Sequence, residues 1–378
     1  MKKWLIIPVL IGFFFVIHIF YMGYANENIL NNLVNNKNSN YKIINLNFKK
    51  GFLRSEANFT IKDSVGLNFT TEVNVVFNNN YFSKYIAQGD LSNPFYFLDQ
   101  HLKNKKLASF ILTSKQKDFN LRLQFQDINL SNEGGDTLLK NASISILIDK
   151  NMQVKNIYFN IDKAQFTQFY SKLSMQDFNY KQHFNHPIPL NDLLQPKEGV
   201  EELQFHSFVF NNNKIASFYS KNTFHFQDKN KLKIHFQGKA CDIVLDMNSK
   251  LYRNLNFDKV DFDIIWNEIA KYSYNKFDLD SLIKEGLKLD IINLTFYKDK
   301  QNIDINGNII LGKNNKANIQ ISSTEEPDKI FTWGQFFGGL NQYFIKNSDL
   351  FIMNLFYDSL SNPQLKINGN QFSYIDLN

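Results

Sequence analysis

The sequence predicts a mainly β (α+β) protein. Its body reads as a large antiparallel, twisted sheet assembly with a few amphipathic helices, preceded by one N-terminal transmembrane helix. Three observations lead there: one long apolar run at the start, many short segments of period-two alternation beyond it, and polar turn residues between those segments with few βα alternations.

The apolar run comes first. Met1-Lys2-Lys3 precedes Trp4 to Gly23, which is interrupted only by His18. About 20 residues at roughly 1.5 Å each span a bilayer core of roughly 30 Å. Pro8 and Gly12 are tolerated in membrane helices, and Trp4 and Tyr21 stand where interfacial aromatics belong. Lys2 and Lys3 place the N-terminus in the cytoplasm and the body across the membrane. Gly23-Tyr24-Ala25 would also suit a signal cleavage site, but the run exceeds the roughly 7–15 residues of an ordinary signal h-region. Residues 1–25 are therefore assigned to an anchor and residues 26–378 to a β-rich body.

Within the body, Asn26 to Asn36 carries Ile29, Leu30, Leu33 and Val34 at helical spacing, a short amphipathic helix. From Tyr41 the period becomes two. Ile43 to Phe48, Ala57 to Ile61 and Leu67 to Phe77 are strands. Phe119, Leu121, Leu123 and Phe125 alternate with Asn120, Arg122, Gln124 and Gln126, and the phase slips at Asp127-Ile128, which predicts a bulge. Ile144 to Ile148 and Val154 to Ile161 form a hairpin across Asp149-Lys150-Asn151. The pattern returns at Leu203 to Phe210, Ile215 to Phe226, Leu232 to Phe236 and Ile243 to Met247. Helices are expected at Phe166 to Met175, Pro189 to Leu194, Ile264 to Lys276 and Asp280 to Gly286. Leu287 to Tyr297 and Asn302 to Leu311 pair as strands, Phe331 to Ile345 and Leu350 to Leu360 read as aromatic helices, and a hairpin around Gly369 closes the chain. No linker rich in Pro, Gly or Ser divides the body, so any division into two stacked halves is expected near residues 180–200.

Composition narrows the function classes. The chain has 378 residues, of which 43% are hydrophobic and 15% aromatic, enough for a sizeable core. Its net charge of +6 is spread over a large surface, short of the basic patch that nucleic-acid binding requires. The single cysteine, Cys241, forms no internal disulfide; it lies at the start of a predicted strand with no base beside it and reads as structural. His183 and His186 lie in a segment followed by Pro187 and Pro189, a loop without recognisable ligand partners. His225 and His235 point opposite to the apolar residues of their strands. Glu325, Glu326 and Asp328 read as a solvated turn. No hydrolase, P-loop, zincin or dinucleotide fingerprint occurs, so no catalytic, cofactor or metal residue is assigned.

Two features carry functional content. Asn58, in Glu56-Ala57-Asn58-Phe59-Thr60, and Asn129, in Asp127-Ile128-Asn129-Leu130-Ser131, match the acidic sequon of bacterial N-glycosylation. Phe331, Trp333, Phe336, Phe337, Phe351 and Phe356 form an aromatic surplus that either covers the β core or offers an apolar surface to lipid or a partner.

The stretch Lys49-Lys50-Gly51-Phe52-Leu53-Arg54-Ser55-Glu56-Ala57-Asn58-Phe59 follows anchor, helix and strand. In that setting it resembles a signature near the start of the bacterial YdgA-like family, envelope proteins of unknown function. Leu287, Leu289, Ile291 or Ile292 and Leu294 resemble the family's later repeated unit, and Pro363 to Gly369 its C-terminus; at the family's His-Gly-Pro stretch this chain has Gly89 to Phe95. The resemblance implies a single-pass protein of the bacterial inner membrane with a periplasmic body, and brings no catalytic residues. More distantly, the architecture is similar to AsmA-like envelope proteins with apolar grooves. Together these lead to the expectation of a nonenzymatic membrane-anchored periplasmic protein that binds lipid or another apolar envelope component, or supports envelope assembly. The alternative is an interaction module that homo-oligomerises through edge strands or the amphipathic helix; an envelope enzyme comes third.

Overall fold

The protein is described here from a computed structural model covering residues 22–28, 30–32, 41–63, 70–79, 85–93, 102, 105–115, 118–132, 134–168, 171–189, 197–228, 231–246, 255–270, 286–327, 341–360 and 362–372. Among these residues no helix is long and apolar enough to cross a membrane. The run Trp4 to Gly23 lies outside them except for Met22 and Gly23, which are helical together with residues 24–28 and 30–32. The described residues of this helix include four that precede the segment whose apolar spacing predicts a helix.

Strands dominate the rest. The chain divides into two units, one comprising 1–132, 137–161 and 187–192, the other 133–136, 162–186 and 193–378. The first ten strands are β1 (Tyr41–Lys49), β2 (Arg54–Asp63), β3 (Thr70–Asn78), β4 (Ala87–Ser92), β5 (Lys106–Lys115), β6 (Asp118–Phe125), β7 (Ile128–Asn132), β8 (Gly135–Lys140), β9 (Ser143–Ile148) and β10 (Gln153–Gln168). In the first unit β1 to β6 pair successively, β6 then pairs with β9, and β9 with β10, every pair antiparallel. Alternation gives this sheet one apolar face. Its centre is Ala57, Val75 and Ala87 with Leu30 of the helix laid on them, and Phe48, Phe59, Phe77 and Phe110 pack around that cluster.

The later strands are β11 (Ser171–Pro189), β12 (Gly199–Phe205), β13 (Ser207–Phe210), β14 (Asn213–Phe226), β15 (Lys231–Leu245), β16 (Leu255–Ala270), β17 (Leu287–Lys298), β18 (Gln301–Leu311), β19 (Lys316–Ser323), β20 (Ile345–Asn347), β21 (Leu350–Asp358), β22 (Asn362–Ile367) and β23 (Asn370–Gln371). In the second unit β12 and β13 act as one strand interrupted at His206, sandwiched between β11 and β14. From β14 the strands pair in chain order to β19, which pairs with β21; β21 also takes β20 and β22, and β22 takes β23. The hairpins expected at 144–161, 203–226, 287–311 and around Gly369 are present, with Gly369 at φ 86° supplying the left-handed turn residue.

Three expected helices are strands where they are described. Residues 264–270 belong to β16, where two residues, Asn267 and Glu268, oppose one on β15; the bulge puts Ile269 on the face of Trp266, and a spacing of three imitates a helix. Residues 350–358 are β21, with apolar side chains on both faces, a composition that periodicity alone does not separate from a helix. Phe166 to Gln168 and Ser171 to Met175 end β10 and begin β11. Pro189 ends β11. The remainder of the Pro189 helix, 271–285 and 328–340 lie outside the described residues. At Asp127 the chain leaves β6 and restarts as β7, a break instead of a bulge.

Candidate functional site

The register of the second unit places residues of nine strands in continuous rows on one face. One row runs Phe184, Gly199, Phe224, Ile234, Trp266, Leu289, Ile309, Ala317 and Tyr357. The next row but one on the same face contains Leu203, Ser220, Gly238, Phe262, Leu294, Ile305, Ile321 and Met353. Antiparallel partners point to the same side, so a period of two in every strand suffices to build the whole face. The packing is aromatic. Phe205 stacks on Phe218 with centroids 5.1 Å apart, Phe218 on Phe262 at 6.0 Å, and Phe236 meets Trp266 edge-on at 5.3 Å. Phe224, Leu232, Ile234, Ile269 and Leu287 are buried, whereas Phe218, Phe236, Phe262 and Trp266 keep part of their surface exposed.

Glycine shapes this face at one position. A Cβ on Gly238 would lie 2.2 Å from the Tyr219 carbonyl oxygen and 2.6 Å from the Phe262 ring. The missing side chain lets that ring lie across its cross-strand neighbour. Gly89 and Phe110 repeat the device in the first unit.

The opposite face is polar. Lys181 pairs with Glu202 at 3.8 Å, His235 Nε2 lies 2.6 Å from Asp263, and Gln237 donates to the same carboxylate at 2.8 Å. The orientation read from alternation for His235 is the one observed. A sheet with one apolar and one ion-paired face is fixed in register, because a slip of one residue would exchange the two.

One row breaks the apolar pattern. Gln182, Glu201 and Asn222 are cross-strand neighbours on β11, β12 and β14, and the next member, on β15, is Phe236. The Tyr180 hydroxyl donates to Glu201 Oε1 at 3.0 Å and the Gln182 amide at 3.3 Å. Burial holds the Glu201 carboxyl above the usual glutamate range, partly offset by hydrogen bonds from Tyr180 and Asn222. The Asn222 Oδ1 atom is buried and accepts no hydrogen bond. Gln182, Tyr180, Phe184, Leu203, Ser220 and Phe224 surround Glu201 on this face, and none is a cation. The arrangement is an acceptor-rich island in an apolar surface, suited to the donor-bearing end of an amphiphile. Glu201 is not among the residues singled out from sequence. The signal was its phase: counting back by twos from Phe205 through Leu203 lands on Glu201.

The residues singled out from sequence are scattered. Phe331, Trp333, Phe336 and Phe337 lie outside the described residues. Phe351 and Phe356, expected on an aromatic helix, are on opposite faces of strand β21; Phe351 stands in register with Ser323, and Phe356 with Asn318. Asn58 and Asn129 are exposed on β2 and β7. His183 and His186, expected in a loop, are on β11, where a separation of three puts them on opposite faces. Cys241 is inside β15, not at a strand start. Glu325 follows β19, where its carbonyl accepts from Ser323 Oγ. Among the described residues no group of three or more His, Cys, Asp or Glu side chains could hold a metal.

The motif 49–59 has a clear structural role. Asn79, 1% exposed, donates from Nδ2 to the carbonyls of Gly51 at 2.9 Å and Phe52 at 3.2 Å and to Ser55 Oγ at 3.0 Å, and its Oδ1 accepts from Asn26 of the helix at 3.2 Å. Lys50 reaches Glu27 at 3.2 Å and lies 2.9 Å from the Tyr24 ring centroid. A Cβ on Gly51 would fall 2.0 Å from the Arg54 carbonyl oxygen. Ser55 and Ala57 are both buried. The motif is the seat on which the helix after the apolar run is docked. In the stretch compared with the repeated unit, Ile291 is buried and Ile292 is 53% exposed; a register shift between Ile291 and Leu294 produces the irregular spacing. Comparison with known proteins found no matching family model, no matching curated protein and no matching solved structure.

Proposed function

We propose that the protein is a nonenzymatic, membrane-anchored envelope protein that holds an acyl-bearing amphiphile against the apolar face of its second unit. The observation that supports this reading best is the apolar row system across nine strands, interrupted on β11, β12 and β14 by Gln182, Glu201, Ser220 and Asn222. Acyl chains laid on Phe218, Phe236, Phe262 and Trp266 would be driven by removal of apolar surface from water, about 0.8 kcal/mol per methylene. The acceptors of the polar island favour an uncharged or cationic donor group at the ligand's other end over an acid. Anchoring through residues 4–23, a periplasmic body and kinship with the YdgA-like family belong to the same proposal, supported by the apolar run, the two lysines before it and the motif seated by Asn79. The test is lipid analysis of the full chain extracted from membranes in mild detergent. The reading expects an acyl lipid that remains with the native protein and is lost from Phe262→Arg. Native protein free of lipid would overturn it.

A further inference from the structure

Three exposed apolar side chains gather at one end of the first unit. Phe52 and Leu53, in the turn between β1 and β2, are 45% and 51% exposed, and Tyr24 is 58% exposed. Lys50 ties them together, since its ammonium lies over the Tyr24 ring and it occupies the same turn as Phe52. The turn is also basic: Lys49, Lys50 and Arg54 flank it; Lys50 pairs with Glu27, and Lys49 stands in register with Glu56. Gly23, in the helix, is so close to this turn that a Cβ there would lie 3.4 Å from Lys50 Cγ.

The position of this cluster along the chain gives it meaning. The apolar run of residues 4–23 ends at Gly23, so the chain reaches the cluster directly from that run. If the run crosses a bilayer, the turn lies within one helical turn, about 5 Å, of the point where the chain emerges. Exposed aromatic and aliphatic side chains with adjacent cations are what the boundary between headgroups and acyl chains accommodates.

We propose that the β1–β2 turn, with Phe52 and Leu53 at its tip and Tyr24 beside it, inserts into the interface of the bilayer that holds residues 4–23, with Lys49 and Arg54 on anionic headgroups. The inference rests on the anchor reading and adds a second attachment, so that β2 rises from the membrane tip first. Asn79, bonded to both the turn and Asn26, and the Lys50–Glu27 ion pair fix the turn to the helix, which keeps both attachments at one depth.

Three full-length variants test it in a Cys241→Ser background: Val16→Cys in the apolar run, Leu53→Cys at the tip and Lys62→Cys near the far end of β2. Nine residues at about 3.3 Å each put Lys62 about 30 Å from the tip. Each carries an environment-sensitive fluorophore and is reconstituted in vesicles of phosphatidylcholine and phosphatidylglycerol, with and without bromine on the acyl chains. The expected result is quenching and a blue shift at positions 16 and 53, with neither at 62. Quenching at 16 alone would overturn the tip and leave the anchor standing. Quenching at all three would also overturn it, because the sheet would then lie flat. Quenching at none would remove the anchor and the tip with it.

Discussion

Asn79→Asp is the sharpest test of how the helix is held to the first unit. The substitution changes almost no volume, but it replaces the Nδ2 donor with an oxygen. That oxygen would face the Gly51 and Phe52 carbonyls, 2.9 and 3.2 Å away in the native protein. Two hydrogen bonds become acceptor–acceptor contacts, and Asn79 is 1% exposed, so water offers little relief. At roughly 1–3 kcal/mol per buried group left unsatisfied, with a buried charge added, the turn that seats the helix should lose about 3 kcal/mol, and the helix, joined to position 79 through Asn26, should open with it. That corresponds to about a hundredfold more frequent opening. Amide hydrogen exchange over residues 22–32 reads the opening directly, with β14 to β18 as the internal reference. Asn79→Ala should lie on the same side, since it strands Ser55 and Asn26. An Asn79→Asp protein whose helix exchanges as slowly as the native one would refute the reasoning.

Other outcomes follow from the same geometry. Burial raises the Glu201 pKa, so the folded state favours the protonated carboxyl more than the unfolded chain does. Stability is then lost as pH rises through the folded pKa. Glu201→Gln should raise the thermal midpoint at neutral pH, and the gain should vanish below the ordinary glutamate value of about 4.3. Gly238→Ala should destabilise by about 1–3 kcal/mol, the cost of overpacking. Phe262→Ala should not rescue it, because the Tyr219 carbonyl still meets the new Cβ at 2.2 Å; calorimetry of the three variants decides. Asn58 and Asn129 are exposed, and if the acidic sequon is used in the native host, intact mass will exceed the sequence mass by a glycan; an unmodified mass removes that idea.

What could be read before folding was what depends on neighbours in the chain. Alternation in residues 119–125 and 144–161 gave strand, face and hairpin together, because each strand needs only its own period to orient its side chains. The helix expected from Ile264 is misread where the period is locally changed, and the strand expected from Leu287 carries the same kind of change. At Asn267-Glu268 and between Ile291 and Leu294, extra residues in one strand produce spacings of three that belong to a bulge. Asp242, at φ 48°, lies between Ala240 and Ile243, which join one buried cluster despite their odd separation. Long-range partners were invisible for a different reason. Ser55 and Gly51 stand out in sequence, but Asn79, which unites them with Asn26, sits among adjacent asparagines with nothing local to mark it. Glu201 needed the phase of Phe205 and the register of three strands before its surroundings could be seen.

The central claim is that the apolar face, and not its polar reverse, meets an acyl-bearing ligand. Photo-crosslinking measures this directly. Benzoylphenylalanine replaces Phe262 on the apolar face or Lys239 on the other, in the full chain in its native membrane, and mass spectrometry identifies the adducts after irradiation. The account predicts a lipid adduct at position 262 and none at 239. Equal lipid labelling at both, or only protein adducts at 262, would contradict it.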